Sequence, residues 1–188
     1  MAPSSSDVGF LASSIFLILS IFSNFCTGST NEPTEFSKSL SRGWNDKIHW
    51  QTLSQGLDLA AKLDKPAMVI IHKTWCSACK SLKRDFAKNA EIQEMSQHFV
   101  MVNTQDDEEP KEDKYAPDGS YIPRILFVDG SSNVRVQHYN EDGNKKYRYF
   151  YSSAREVITS MRKVITTWRH DSYEEGIDDG EGQIYDEL

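Results

Sequence analysis

Short apolar runs alternate with amphipathic stretches along this chain, and their spacing lays out most of a domain. "AMVIIHK", Ala67 to Lys73, is a continuous apolar run between Pro66 and a cysteine segment. Such a run suits a strand buried on both faces of a sheet. "FVMVNT", Phe99 to Thr104, reads as a second interior strand. "RILFVD", Arg124 to Asp129, reads as a third, turning through "GSSN" and returning in "VRVQHY", Val134 to Tyr139, as a hairpin. A short strand at Ile48–Trp50 leads into a helix on which Leu53, Leu57, Ala60, Ala61 and Leu63 share a face. Cys79, Leu82, Lys83 and Phe86 mark the face of a second helix, and "AEIQEMSQH" continues helical after a break. Aromatic "KYRYFYS" reads as extended. Ala154, Val157, Ile158, Met161, Val164, Ile165 and Trp168 then form the stripe of a closing amphipathic helix.

The order is β, α, β, α, β, β, α. Strand, helix, strand in this length predicts a parallel βαβ unit with a right-handed crossover. With the hairpin added, the expected fold class is α/β, a mixed central β-sheet with helices on both faces. The domain spans 44–169. Before it, residues 29–43 are rich in Ser, Thr, Asn and Glu and read as a flexible lead-in. Within it, "QDDEEPKEDKYAPDGS" has neither the glycine nor the terminal ligand of an EF-hand and reads as a solvated loop. After it, residues 170–188 are acidic, hold no Lys or Arg, and read as a disordered tail.

Composition narrows the partners. The net charge is −7, with 38% hydrophobic and 26% charged residues. No basic patch interleaved with aromatics is present, so a phosphate backbone is not an expected partner.

The two ends point to a compartment. Phe10 to Phe25, "FLASSIFLILSIFSNF", is apolar or small and uncharged. It is short for a bilayer span and suits the apolar region of a secretory signal. Cys26 and Gly28 supply the small residues of a cleavage site, placing the signal peptide at 1–28 and leaving no membrane segment after cleavage. Because "MAPSSSDV" lacks Lys and Arg, an uncleaved anchor stays open. The chain ends on Tyr185, Asp186, Glu187 and Leu188, a variant of the Lys-Asp-Glu-Leu retrieval signal. Together the ends predict residence in the endoplasmic reticulum lumen with a retrieval receptor as partner. Tyr185 at the leading position leaves partial secretion open.

Of three cysteines, Cys26 falls in the signal, and the mature chain keeps Cys76 and Cys79 in "HKTWCSACKSL". A lone close pair in an oxidising compartment suggests chemistry more than a scaffold. Placed between a buried strand and a helix, Cys76 sits at the helix N-terminus, where partial positive charge stabilises a thiolate. Cys79 lies one turn in, within disulfide reach, with Lys73, Lys80 and Lys83 adding positive potential. Cys76 would attack and Cys79 resolve, through a redox-active Cys76–Cys79 disulfide and no separate cofactor. Trp75 either shields the site or anchors the core. Two alternatives stand beside redox exchange. Zinc wants four ligands where this pair supplies two, so no metal is expected. An inert disulfide closing so short a loop would stabilise little.

"TWCSACK" with "YIPRILF" downstream resembles a thioredoxin-like active site and its opposing Ile-Pro loop. "IIHKTWCSACKSLK", "FVMVNTQDDEEPK" and "APDGSYIPRILFVD", with the Asp-Glu-Leu end, resemble the small endoplasmic-reticulum thioredoxin-like proteins of the anterior gradient family. The resemblance implies a thioredoxin-like fold. It further implies a cis Pro123 against the cysteines, with Ile122 lending backbone to bound peptide. It implies thiol–disulfide exchange with secretory client proteins and glutathione, or, as the rival from another class, a non-catalytic client-binding module. Two departures stand out. The spacer is Ser77-Ala78 where that family has Gly-Ala, and Ile70 replaces the buried carboxylate that thioredoxins carry six residues before the first cysteine.

Overall fold

A computed structural model describes residues 32–174, with side chains through Trp168. The apolar run of Phe10 to Phe25, the cleavage site and the terminal Tyr185–Leu188 signal lie outside the described residues.

Four strands form one sheet in the order β1-β3-β2-β4: β1 (Trp50–Gln51), β2 (Ala67–His72), β3 (Val100–Gln105) and β4 (Arg124–Val128). The most apolar run, β2, takes a central position with every residue buried. β3 runs parallel to it from Ala67 opposite Val100 to His72 opposite Gln105. β4 runs antiparallel, from Ala67 opposite Val128 to Ile71 opposite Arg124. These registers carry three chain segments off the same end of the sheet: 73–76 after β2, 106–109 after β3, and 121–123 before β4.

Alternation along the strands feeds two cores. Met68, Ile70, Met101, Ile125 and Phe127 face Leu82 and Phe86 of α3 (Ser77–Ala87), Ile92 of α4 (Ala90–Met95) and Val157, Met161 and Val164 of α5 (Ala154–Glu174). Val69, Ile71, Val102, Leu126 and Val128 face Ala60, Leu53 and Leu57 of α2 (Leu53–Leu63). α2 lies so close to β3 that a Cβ on Gly56 would collide with the Val102 side chain. Helices therefore cover both faces of a mixed sheet, as the pattern of positions predicts. The break between α3 and α4 has a local cause: Asn89 caps α4, its side chain accepting from Ile92 N at 3.0 Å.

Sequence expectations are corrected in three parts of the chain: the lead-in, the stretch after β4 and the tail. The lead-in 29–43 is not flexible throughout, because Glu35–Ser41 form a helix, α1, capped by Thr34. Its buried positions are Ser37, Leu40 and Ser41, so serines occupy places where a hydropathy stripe needs apolar residues. Ser37 is used for bonding: Trp50 N donates to its Oγ at 2.6 Å.

The hairpin return is also absent: among the described residues no strand follows β4. One isolated bridge joins Val128 to Val134, after which the chain turns. The alternating "VRVQHY" misleads because Val136 points outward, 51% exposed. Arg135 pairs with Asp129 at 3.4 Å and lies over the Trp168 ring. The outer edge of β4 is covered piecemeal instead, Arg135 N donating to Phe127 O at 2.8 Å and Ile125 N to Tyr149 O at 3.0 Å. "KYRYFYS", read as extended, forms no strand, although Tyr149 and Tyr151 both turn inward.

The third correction concerns the tail. α5 continues to Glu174, so helix extends past the 169/170 boundary into the acidic segment.

Candidate active site

Cys76 is the N-cap of α3. Its backbone is extended, with φ −74° and ψ 119°, and its Sγ accepts from Cys79 N at 3.1 Å. Lys80 N donates to Cys76 O at 3.1 Å and closes the first helical turn. A helix start leaves unpaired N–H donors, and here the sulfur meets one of them. Cys76 and Cys79 form a disulfide with a Cα–Cα separation of 5.2 Å. Cys76 is 7% exposed and Cys79 2%, so the outer sulfur is the one a partner reaches first. Among the described residues, no three His, Cys, Asp or Glu side chains cluster as metal ligands.

The flanking residues separate cleanly. Trp75 is 72% exposed and anchors no core. Ser77 and Lys80 are exposed and Ala78 half-buried. The Ile122–Pro123 bond is cis, Pro123 is buried, and the Ile122 carbonyl oxygen lies 4.0 Å from Cys76 Sγ. The structure thus brings Cys76, Cys79, Ile122 and Pro123 together at the end of the sheet.

The lysines expected to bias Cys76 are largely engaged elsewhere. Lys73 Nζ sits 2.6 Å from Glu109 Oε2 and donates to Asp106 O at 2.6 Å. Lys83 Nζ donates to Arg42 O at 3.0 Å. The helix N-terminus is left as the main stabiliser of a Cys76 thiolate.

Beneath the site lies His72, on the same face of β2 as Ile70. Asn103 Nδ2 donates to Leu40 O at 2.8 Å and to Ser41 O at 3.0 Å, which turns its Oδ1 toward His72 Nε2 at 2.7 Å. Trp44 Nε1 reaches the same nitrogen at 3.1 Å. A neutral ring can donate from Nε2 to Asn103 or accept there from Trp44, not both at once. Burial lowers the His72 pKa to about 4, against the opposing bond to Asn103, so the ring is neutral near pH 7.

The acidic segment read as a solvated loop is a brace. Asp106 takes a left-handed conformation with φ 52°, and its Oδ1 accepts from Thr74 N at 2.9 Å and Thr74 Oγ1 at 3.3 Å. The Thr74 amide bond is the main reason its carboxyl is held below the usual range. Glu108 pairs with Arg42 and accepts from Gln105 N at 3.0 Å. Glu109 bridges Lys73 and, through Oε1 at 2.6 Å, Arg124 Nη2. Burial pushes the Glu109 carboxyl up, but the bonds from Lys73 and Arg124 outweigh it and hold the pKa low. Arg124, 1% exposed, also donates from Nε to Tyr115 O at 3.2 Å and from Nη1 to Tyr121 O. Sequence reasoning misses these contacts because their partners are far apart along the chain. The available signal was two cations, Lys73 and Arg124, at strand ends that the register sets side by side.

A model of thioredoxin-like proteins matches residues 49–130. The chain is 40% identical over 151 residues to anterior gradient protein 3 of Mus musculus, spanning 79% of this chain and 90% of that one. It is 36% identical over 129 residues to anterior gradient protein 2 homolog of Homo sapiens, spanning 68% and 73%. A thioredoxin from Thermus thermophilus aligns in structure with a TM-score of 0.48 at 14% identity, over 70% of this chain and 98% of that one. Sequence identity over nearly the whole length of a curated relative, on a sheet that carries a Cys-X-X-Cys helix cap, makes this chain a member of the anterior gradient family of thioredoxin-like proteins.

Proposed function

We propose that this protein is a thiol–disulfide oxidoreductase of the endoplasmic reticulum lumen, exchanging disulfides with secretory client proteins and with glutathione. The observation that carries the reading is the placement of Cys76. Its sulfur caps α3, receives the Cys79 N–H at 3.1 Å and lies 4.0 Å from the Ile122 carbonyl. Within the family, "IIHKTWCSACKSLK" and "APDGSYIPRILFVD" favour a counterpart of thioredoxin domain-containing protein 12. The location rests on the apolar run Phe10 to Phe25 and on Tyr185, Asp186, Glu187 and Leu188, the feature a retrieval receptor would read.

In the reduced protein the Cys76 thiolate attacks one sulfur of a client disulfide. A Cys76–client bond forms, the client S–S bond breaks, and the leaving thiolate takes a proton from water. The client backbone lies along Ile122 and Pro123 as an added strand. Cys79 loses its proton and attacks Cys76 Sγ, forming the intramolecular disulfide and expelling the second client thiolate. The client has gained two electrons and the protein has lost them. Two glutathione thiols restore the protein and leave as glutathione disulfide. Every step reverses, and the direction depends on the couple's potential against a lumenal poise of about −180 to −210 mV.

Multiple-turnover disulfide reduction with glutathione tests the reading. Cys76→Ser should abolish turnover, and Cys79→Ser should stall it at a trapped mixed disulfide. Equal activity of Cys79→Ser and wild type would sink the mechanism. A second reading, client binding without turnover, draws on Trp75, which offers a peptide an open aromatic face. It gains if Cys76→Ser retains client affinity while the wild type shows no turnover.

A further inference from the structure

We propose that Glu109 is a positioning residue for client binding, its single carboxylate setting the distance between the Cys76 arm and the Ile122–Pro123 arm of the site. The inference rests on the oxidoreductase reading for the meaning of those two arms, but its geometric content stands apart from it.

The β2–β4 register ends at Ile71 opposite Arg124. Past that rung one chain departs toward Cys76 and the other arrives from Pro123. Glu109 crosses the gap from a third segment, with Oε2 at 2.6 Å from Lys73 Nζ and Oε1 at 2.6 Å from Arg124 Nη2. Each partner is tied to the reacting centre by backbone. Lys73 O accepts from Cys76 N at 3.3 Å. Arg124 follows Pro123 directly, and its guanidinium also holds the Tyr121 carbonyl, so it grips the chain on both sides of Ile122–Pro123. A shift of Glu109 therefore moves the peptide-receiving backbone relative to the nucleophile.

The electrostatics make the bridge specific. Arg124 is fully buried, and Lys73 and Glu109 are mostly so. A mostly buried cation that loses its carboxylate is left poorly compensated and repels its neighbour. In Glu109→Gln the two cations would face each other across an amide, and the arms would separate. A client peptide must touch both arms at once, whereas a small disulfide needs only Cys76.

The test compares Glu109→Gln with wild type using glutathione disulfide and a disulfide-bearing peptide as substrates. KM for the peptide should rise about tenfold, kcat should change less than about threefold, and the peptide should lose far more kcat/KM than glutathione disulfide does. Hydrogen exchange should accelerate in residues 119–124 while 67–72 stay protected. Lys73→Met, which leaves the Glu109–Arg124 pair intact, should shift both readouts the same way by less, and it decides the matter if Glu109→Gln does not fold. An unchanged peptide KM, an equal loss for both substrates, or faster exchange throughout the sheet would overturn the proposal. If the wild type itself exchanges no disulfides, the oxidoreductase reading fails, and the hydrogen-exchange pattern alone decides for or against the bridge.

Discussion

The two ends of β2 are held by different physics. At Ala67–Ile71, ladders on both sides and apolar side chains on both faces leave no choice of position. From Lys73 onward the chain is placed by side chains reaching from elsewhere, Asp106 to Thr74 and Glu109 to Lys73, and then by the local cap in which Cys79 N donates to Cys76 Sγ. The first arrangement supplies stability and is indifferent to chemistry. The second supplies position, and it exposes each of its bonds to pH, charge and substitution.

The strongest break of that comparison is Ile70→Ala. Ile70 is fully buried between β3, β4 and the α3 face, so removing its side chain should cost about 2–5 kcal/mol. Denaturant unfolding measures it, and a loss below about 1 kcal/mol would contradict the account of that core. The next effect is set by pH. An unfolded His72 binds a proton near pH 6.5, whereas the folded one declines it until about 4. Stability tied to His72 is therefore complete above pH 6.5 and falls as the pH drops to about 4, by on the order of 3 kcal/mol. His72→Gln should flatten the slope of stability against pH in that window. An unchanged slope would mean that another group carries it. Glu108 and Glu109, whose pKa values lie below 4.5, act in a separate window: their contribution is present above that value and is lost as the pH falls through their lower folded values. The smallest effect sharpens the contrast from the other side. Trp75→Ala removes the largest exposed ring of the site and should change stability by less than about 0.5 kcal/mol, while raising KM for a peptide substrate.

What could be read in advance follows the same division. β2, β3 and β4 are legible because burial on both faces demands apolar runs, and α5 because Val157, Met161 and Val164 share one stripe. The cysteine pair is legible because cap and disulfide are local, within one helical turn. α1 is hidden by Ser37 and Ser41, polar residues whose burial is met by hydrogen bonds, Ser37 Oγ accepting from Trp50 N and Ser41 Oγ donating to Asp46 Oδ1. The hairpin misreads because "VRVQHY" has the period of a strand, yet Arg135 finds Asp129 and Trp168 in place of a ladder. The brace is hidden most deeply. Glu109 becomes more than a loop carboxylate only when the strand register places Lys73 and Arg124 on either side of it.

The cap on α3 has one more consequence. In the mechanism proposed above, the attacking atom is also the atom that begins the helix, since Cys76 Sγ receives Cys79 N. Serine is among the preferred residues at that position, so a change of sulfur to oxygen would keep the helix start intact while ending the proposed exchange. The helix start by itself would not resist loss of the proposed nucleophile. On that proposal, a scaffold that binds without exchanging would lie a single atom away from the enzyme.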